Sequence, residues 1–189
     1  MRVLFVLAIL GAIGMGCGSD DSDEGEHSGA QAGDHDHESA GHTAQATLAP
    51  KSGNMTLAGT AKFSGEPGKV QATVSVTGAP PGMHGLHIHE TGDCSAPDAM
   101  SAGGHWNPSM HMHAAPGPTA HLGDLGNITI DASGSGTLTA TNAAWEIGSG
   151  GPMDLVGKAV IVHAMPDDLM TQPTGNAGGR IGCGVITAQ

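Results

Sequence analysis

The sequence predicts an all-β domain, a sandwich or barrel, and three observations carry that prediction. Apolar and polar residues alternate in several short runs, as strands require when successive side chains point to opposite faces. Clusters of turn residues separate those runs: SGEPGK, GAPPG, DASGSG and GSGGP. No window carries an apolar stripe with the 3.6-residue helical period. The chain has two Phe, two Trp and no Tyr, so its core must come from Val, Ile, Leu and Ala.

The elements follow in order. Residues 55–63, MTLAGTAKF, set Met55, Leu57 and Gly59 on one parity. Residues 70–77, VQATVSVT, set Val70, Ala72, Val74 and Val76 on one parity. Residues 83–94, MHGLHIHETGDC, begin as a strand in which His87 and His89 project side by side and His84 to the opposite face. Short strands follow at 127–130 and 136–140, then at 158–165, KAVIVHAM, and at 182–187, GCGVIT. Two stretches break this rhythm. Residues 90–126 are rich in Gly, Pro and His without a period, and they hold His105, His111, His113, His121 and Asp124. A loop of that length in a compact domain is usually functional. The second irregular stretch, 166–179, follows His163.

The 189 residues suit one domain with extensions. The net charge of −12 argues against a nucleic-acid partner, which needs a basic face. Eight of the 18 acids lie between Asp20 and Glu38, with no Lys or Arg among them. Residues 1–16 read as a cleaved export signal, too short for a membrane span. With Cys17 behind Gly16 the segment resembles a bacterial lipoprotein signal, which implies lipid on Cys17 and a membrane anchor; Gly14 stands where that pattern usually has Leu. An ordinary signal peptide is the other reading. Residues 17–46 read as a disordered acidic tether, because they have almost no large apolar side chains to bury. Its His27, His35, His37 and His42 stand among carboxylates, either as loose metal ligands or as part of a solvated spacer. The folded domain is placed at 47–189.

Five or six histidines and a carboxylate in and beside the loops exceed what one four-coordinate ion needs. They suit two metals, a histidine-only site fitting copper and a site with one carboxylate fitting zinc.

The stretches HGLHIHETGDC, GGHWNP, HLGDLGNI, VIVHAMPDDL and GNAGGRIGCGVI, in this order, resemble the motifs of copper/zinc superoxide dismutases over nearly the whole domain. The resemblance implies a Greek-key β-barrel or sandwich of about eight antiparallel strands with two long functional loops. It places copper on His87, His89, His105 and His163, and zinc on His105, His113, His121 and Asp124, one ion of each per chain, with His105 bridging. His111 is the alternative to His113. Asp167 matches a residue that links the two metal sites through hydrogen bonds to ligand histidines. Cys94 and Cys183 match the family's disulfide, which leaves Cys17 as the odd cysteine. Arg180 matches the arginine that guides the anion, and Thr174 a threonine of the pore wall. Arg180 and His105 are the catalytic candidates.

The activity implied is conversion of superoxide to oxygen and hydrogen peroxide in the periplasm or cell envelope, at a lipid-anchored protein. A homodimer stays open. The rival reading is a non-catalytic copper- and zinc-binding lipoprotein for storage or delivery. The chain departs from the family pattern in places. Its segment 168–175 is short and lacks the acid–lysine pairs often found there, and Leu86 replaces a common aromatic. The methionines at 83, 100, 110, 112, 153, 165 and 170 read as flexible packing in an aromatic-poor domain, with soft copper-entry ligands as the other reading.

Overall fold

A computed structural model describes residues 42–189. The export signal over 1–16, Cys17, and the tether as far as residue 41 with His27, His35 and His37 lie outside the described residues. The strands are β1 His42–Pro50, β2 Ala58–Glu66, β3 Lys69–Thr77, β4 Gly82–His89, β5 Asp124–Ile130, β6 Gly136–Asn142, β7 Ala159–His163, β8 Arg180–Val185 and the two-residue β9 Thr187–Ala188. Among the described residues the only helical piece is a 3-10 turn at Met100–Ala102.

The hydrogen-bonded order is β5-β4-β7-β8-β1-β2-β3-β6, with β9 added on β1, and every ladder is antiparallel. The end strands β5 and β6 follow each other through a turn in which the Asp131 side chain accepts from Ser133 and Ser135. The sheet therefore curls into a nearly closed barrel. β3 pairs with β6 and β4 with β7, so two connections cross over, the Greek-key arrangement.

Strand β1 corrects the domain boundary. Residues 42–46, read from composition as tether, are strand: Ala44 and Ala46 are buried and pair with Phe63 and Ala61 of β2. Alanine carries little weight in a count of large apolar groups, yet it fills an interior position where a large neighbour faces it. The strand expected at 55–63 begins three residues later. Asn54 Oδ1 accepts from Thr56 N and Leu57 N, and Nδ2 donates to Gly78 O, so 54–57 is an Asn-built turn. Met55 is consequently exposed rather than inward.

The main core holds the predicted parity of β3, Val70, Ala72, Val74 and Val76, together with Phe63, Leu86, Ile88 and Trp145. Trp145 donates from Nε1 to Leu122 O and meets Phe63 edge-on at 6.2 Å. A small second cluster, Ala99, Ala102, Ala159, Ile161 and Cys183, lies where the first long loop covers β7 and β8. Cys94 and Cys183 form a disulfide there, tying that loop to the last full strand over 89 residues of sequence.

Candidate metal centre

Strand β4 is buried on both faces from His84 onward. Leu86 and Ile88 enter the barrel core, so His87 and His89 must project outward. Outward does not mean solvent here, because both irregular stretches fold over this face. The first is brought in by backbone pairing: Ile88 N donates to Gly123 O, Trp106 N to Ile88 O and Gly123 N to Trp106 O. A side chain at Gly123 would collide with Ile88 O, so only glycine permits this approach. The pairing seats His105 beside His89 and Asp124 opposite His87. His163 arrives from the adjacent strand β7, at the point where its register with β8 shifts.

The hydrogen bonds on the outer ring nitrogens fix the tautomers. His89 Nδ1–H donates to Gly103 O at 2.9 Å and His163 Nδ1–H to Gly178 O at 3.2 Å. A carbonyl only accepts, so in each ring Nε2 carries the lone pair. His87 is turned the other way. Its Nε2–H donates to Asp167 Oδ2 at 2.9 Å, leaving Nδ1 free. His87 Nδ1, His89 Nε2, His105 Nε2 and His163 Nε2 are all buried and have no hydrogen-bond partner. Each such group left unsatisfied costs about 1–3 kcal/mol. These four residues offer ligand atoms that all lie within 4.8 Å of one another, a donor set that could hold a metal ion.

A second group centres on the Asp124 carboxylate. His105 Nδ1 lies 2.9 Å and His121 Nδ1 3.4 Å from Oδ1, and His113 Nδ1 lies 3.1 Å from Oδ2. The tight set of atoms within 4.8 Å is His87, His105, His113 and Asp124. His87 has one free nitrogen, already in the first group, whereas His121 Nδ1 is buried, unpartnered and facing Asp124. His121 is thus the better fourth donor by chemistry, although it stands slightly wide. His111 turns away, with Nδ1 3.1 Å from Ala120 O, and belongs to neither group.

Asp167 spans both groups, with Oδ2 on His87 Nε2 and Oδ1 on His113 Nε2, each at 2.9 Å. Gly175 has φ +63°, and a side chain there would sit on Asp167 Oδ1 and His113 Nε2. Residues that the sequence reading missed hold this lattice. Asn127 Nδ2 donates to Asp167 O and its Oδ1 accepts from Asp167 N. Gln172 accepts from His113 N and donates to His113 O, clipping the second loop to the first. Buried His84 lies with its two ring nitrogens 2.8 Å from Pro80 O and His163 O, behind the site. All but the Pro80 partner of His84 are distant in sequence, so no local pattern marks these residues.

Burial sets the protonation states. It pushes His87 down to about 4 and His163 down to about 3, with neighbouring imidazoles adding to the shift. His89 falls well below its ordinary value through burial and the nearby Arg180 charge. Burial also lowers His121. All four rings are therefore neutral near pH 7, the form that binds metals. Burial would raise Asp167, but hydrogen bonds from His87, Leu169 N and His113 outweigh it and hold the carboxyl at about 2. Asp124 is likewise held low, its burial outweighed by His105 and the other imidazoles.

His89 and His163 line the floor of an open cavity of about 270 Å3, together with Asp98, Met100, Thr174 and Arg180. Arg180 Nη1 donates to Ala99 O and Nη2 to Gly103 O, both at 2.7 Å, which fixes the half-buried guanidinium beside the imidazoles. Gly103 O serves both Arg180 and His89. The arrangement sets a cluster of imidazoles that could hold a metal ion beside one fixed guanidinium.

Residues 57–186 match the family described as copper/zinc superoxide dismutase. The chain is 44% identical over 129 residues to "Superoxide dismutase [Cu-Zn] 2" of Brassica juncea, covering 65% of this chain and 83% of that protein. Among solved structures, the clock protein EA4 superposes with a TM-score of 0.68 at 36% identity, over 77% of this chain and 93% of that one. A SOD-like protein from Bacillus subtilis superposes with a TM-score of 0.65 at 30% identity, over 75% and 96%.

Proposed function

Because the chain belongs to the copper/zinc superoxide dismutase family, we propose that it converts two superoxide anions and two protons to oxygen and hydrogen peroxide. The observation that carries this reading is the convergence of four buried, unpartnered imidazole nitrogens, two of them on His89 and His163, which line a cavity that also holds Arg180. His87, His89, His105 and His163 would hold copper, and His105, His113, His121 and Asp124 would hold zinc, one of each per chain. Copper would supply reversible one-electron transfer there, and zinc would supply positive charge that tunes the His105 imidazole.

The chain's own residues do the rest. Arg180 draws superoxide into an otherwise acidic protein and orients it over the floor. Its two carbonyl partners prevent the guanidinium from swinging away. Thr174 lines the cavity from the second loop. His105 Nε2 is the atom suited to take up a proton and pass it to the departing peroxide, since its Nδ1 stays directed at Asp124. Asp167 keeps His87 and His113 in the tautomers that leave their ligand nitrogens free.

Storage or delivery of copper and zinc is the rival, favoured by the likeness to a protein described only as SOD-like. A store does not need a guanidinium fixed beside its imidazole cluster, and this favours the enzyme. The test is superoxide dismutation by the purified chain with copper and zinc counted. Activity lost in His89→Ala and lowered about tenfold in Arg180→Ala would carry the reading. Both metals bound without activity would overturn it. We also place the protein outside the cytoplasm, cleaved before Cys17 and anchored there by lipid. Mass spectrometry of the N-terminal peptide from membranes tests this, and an unlipidated peptide in the soluble fraction sinks the anchor.

A further inference from the structure

Every exposed large apolar side chain among the described residues is a methionine. Of the seven methionines near the loops that were read as packing groups, only Met153 packs against the core. This corrects the packing reading for the other six, because an exposed thioether contributes little burial. Two of them stand where they can act. Met100 is 61% exposed and lines the same cavity as His89, His163 and Arg180. Met165 is 52% exposed, and a side chain on Gly178, another residue of that cavity, would touch its Cγ and Sδ at 3.1 Å. The first loop thus brings one thioether to the cavity wall, and the segment after β7 holds the second beside Gly178 of that wall.

Below them the buried Nε2 atoms of His89 and His163 have no partner. A cation approaching those nitrogens through the cavity meets the charge of Arg180, which lines it too. Asp98, on the same wall, offsets part of that charge. Thioethers are neutral soft donors that select Cu(I) over Cu(II) or zinc. The geometry points to Met100 and Met165 as a landing site for cuprous ion, which captures Cu(I) at the mouth and hands it to His89 and His163. The inference rests on the copper centre proposed above and adds its route of loading.

The test uses the full chain, loaded with zinc and free of copper, mixed without oxygen with Cu(I) held by bathocuproine disulfonate. Loss of the chelate's visible band gives the loading rate. A second series presents Cu(II) in glycine buffer. The double variant Met100→Leu/Met165→Leu, which conserves volume, should reach the same copper endpoint several-fold more slowly with Cu(I) and at an unchanged rate with Cu(II). Met110→Leu/Met112→Leu, exposed methionines outside the cavity wall, should load as the wild type does. Equal Cu(I) rates in the wild type and the first double variant would overturn the landing site alone. So would equal slowing by the second pair, which would make the effect a general one of surface thioethers. A wild type that takes no copper at all would overturn the copper centre and the landing site together.

Discussion

The two halves of the barrel obey different rules. In β2 and β3 the outer residues Lys62, Ser64 and Gln71 face water, while Phe63, Val70, Ala72 and Val74 face the core. In β4 and β7 no such contrast exists, because the long loops roof the outer face and even the histidines there are buried. The first half spends its burial on apolar packing alone. The second buries nitrogens that have no partner within the protein, a cost that makes sense only if something else binds them. Stability and function are thus divided between the halves.

The widest test of that division is the disulfide that keeps the roof in place. Cys94→Ser should lower the unfolding free energy of the metal-free protein by about 4 kcal/mol, given the long loop closed. Urea unfolding monitored by circular dichroism checks it, and an unchanged midpoint would mean that the roof is held by other contacts. Acid should act on the roofed half next. His87 and His163 have folded values of about 4 and about 3 against an ordinary 6.5, so the unfolded chain binds protons more readily. Their stabilising share is fully present above pH 6.5 and is lost as pH falls toward 4 and 3, worth about 3 kcal/mol for His87 alone. Asp167, held at about 2, has the same sign between roughly pH 4 and 2. Melting temperatures of metal-free protein from pH 7 to pH 4 would show the loss, and a flat profile would contradict the burial of these rings.

Adjacent residues of β4 sharpen the comparison. Ile88→Ala should cost about 3 kcal/mol, the price of a cavity in the core. His89→Leu should change metal-free stability by less than about 1 kcal/mol, or raise it, because it removes an unsatisfied nitrogen. Copper binding should respond in the reverse order, and calorimetric titration alongside unfolding separates the two. Asp167→Asn should weaken metal binding by roughly 10–100-fold, since an amide cannot accept from both His87 and His113. The smallest effect belongs to the exposed face: Lys62→Ala should stay within about 0.5 kcal/mol and leave metal content unchanged.

Legibility in the sequence followed the same division. The parity of β3 and the outward pair His87 and His89 could be read directly, because strand geometry forces a period of two. β1 could not, since its inward residues Ala44 and Ala46 become core only against Phe63 and its neighbours. The family resemblance favoured His113 over His111 without excluding the swap, and the packed loop turns the first toward Asp124 and the second toward Ala120 O.

By itself, then, the sequence determined the strand class, the histidine-rich composition of the candidate site and the place of the two loops, all of which depend on local period and composition. The tertiary structure alone decided which ring nitrogens are left free, which two histidines Asp167 joins, and which methionine lines the cavity. Those depend on partners as far apart as His87 and Asp167, or His113 and Gln172, and a hydrogen bond between distant residues leaves no trace in local order.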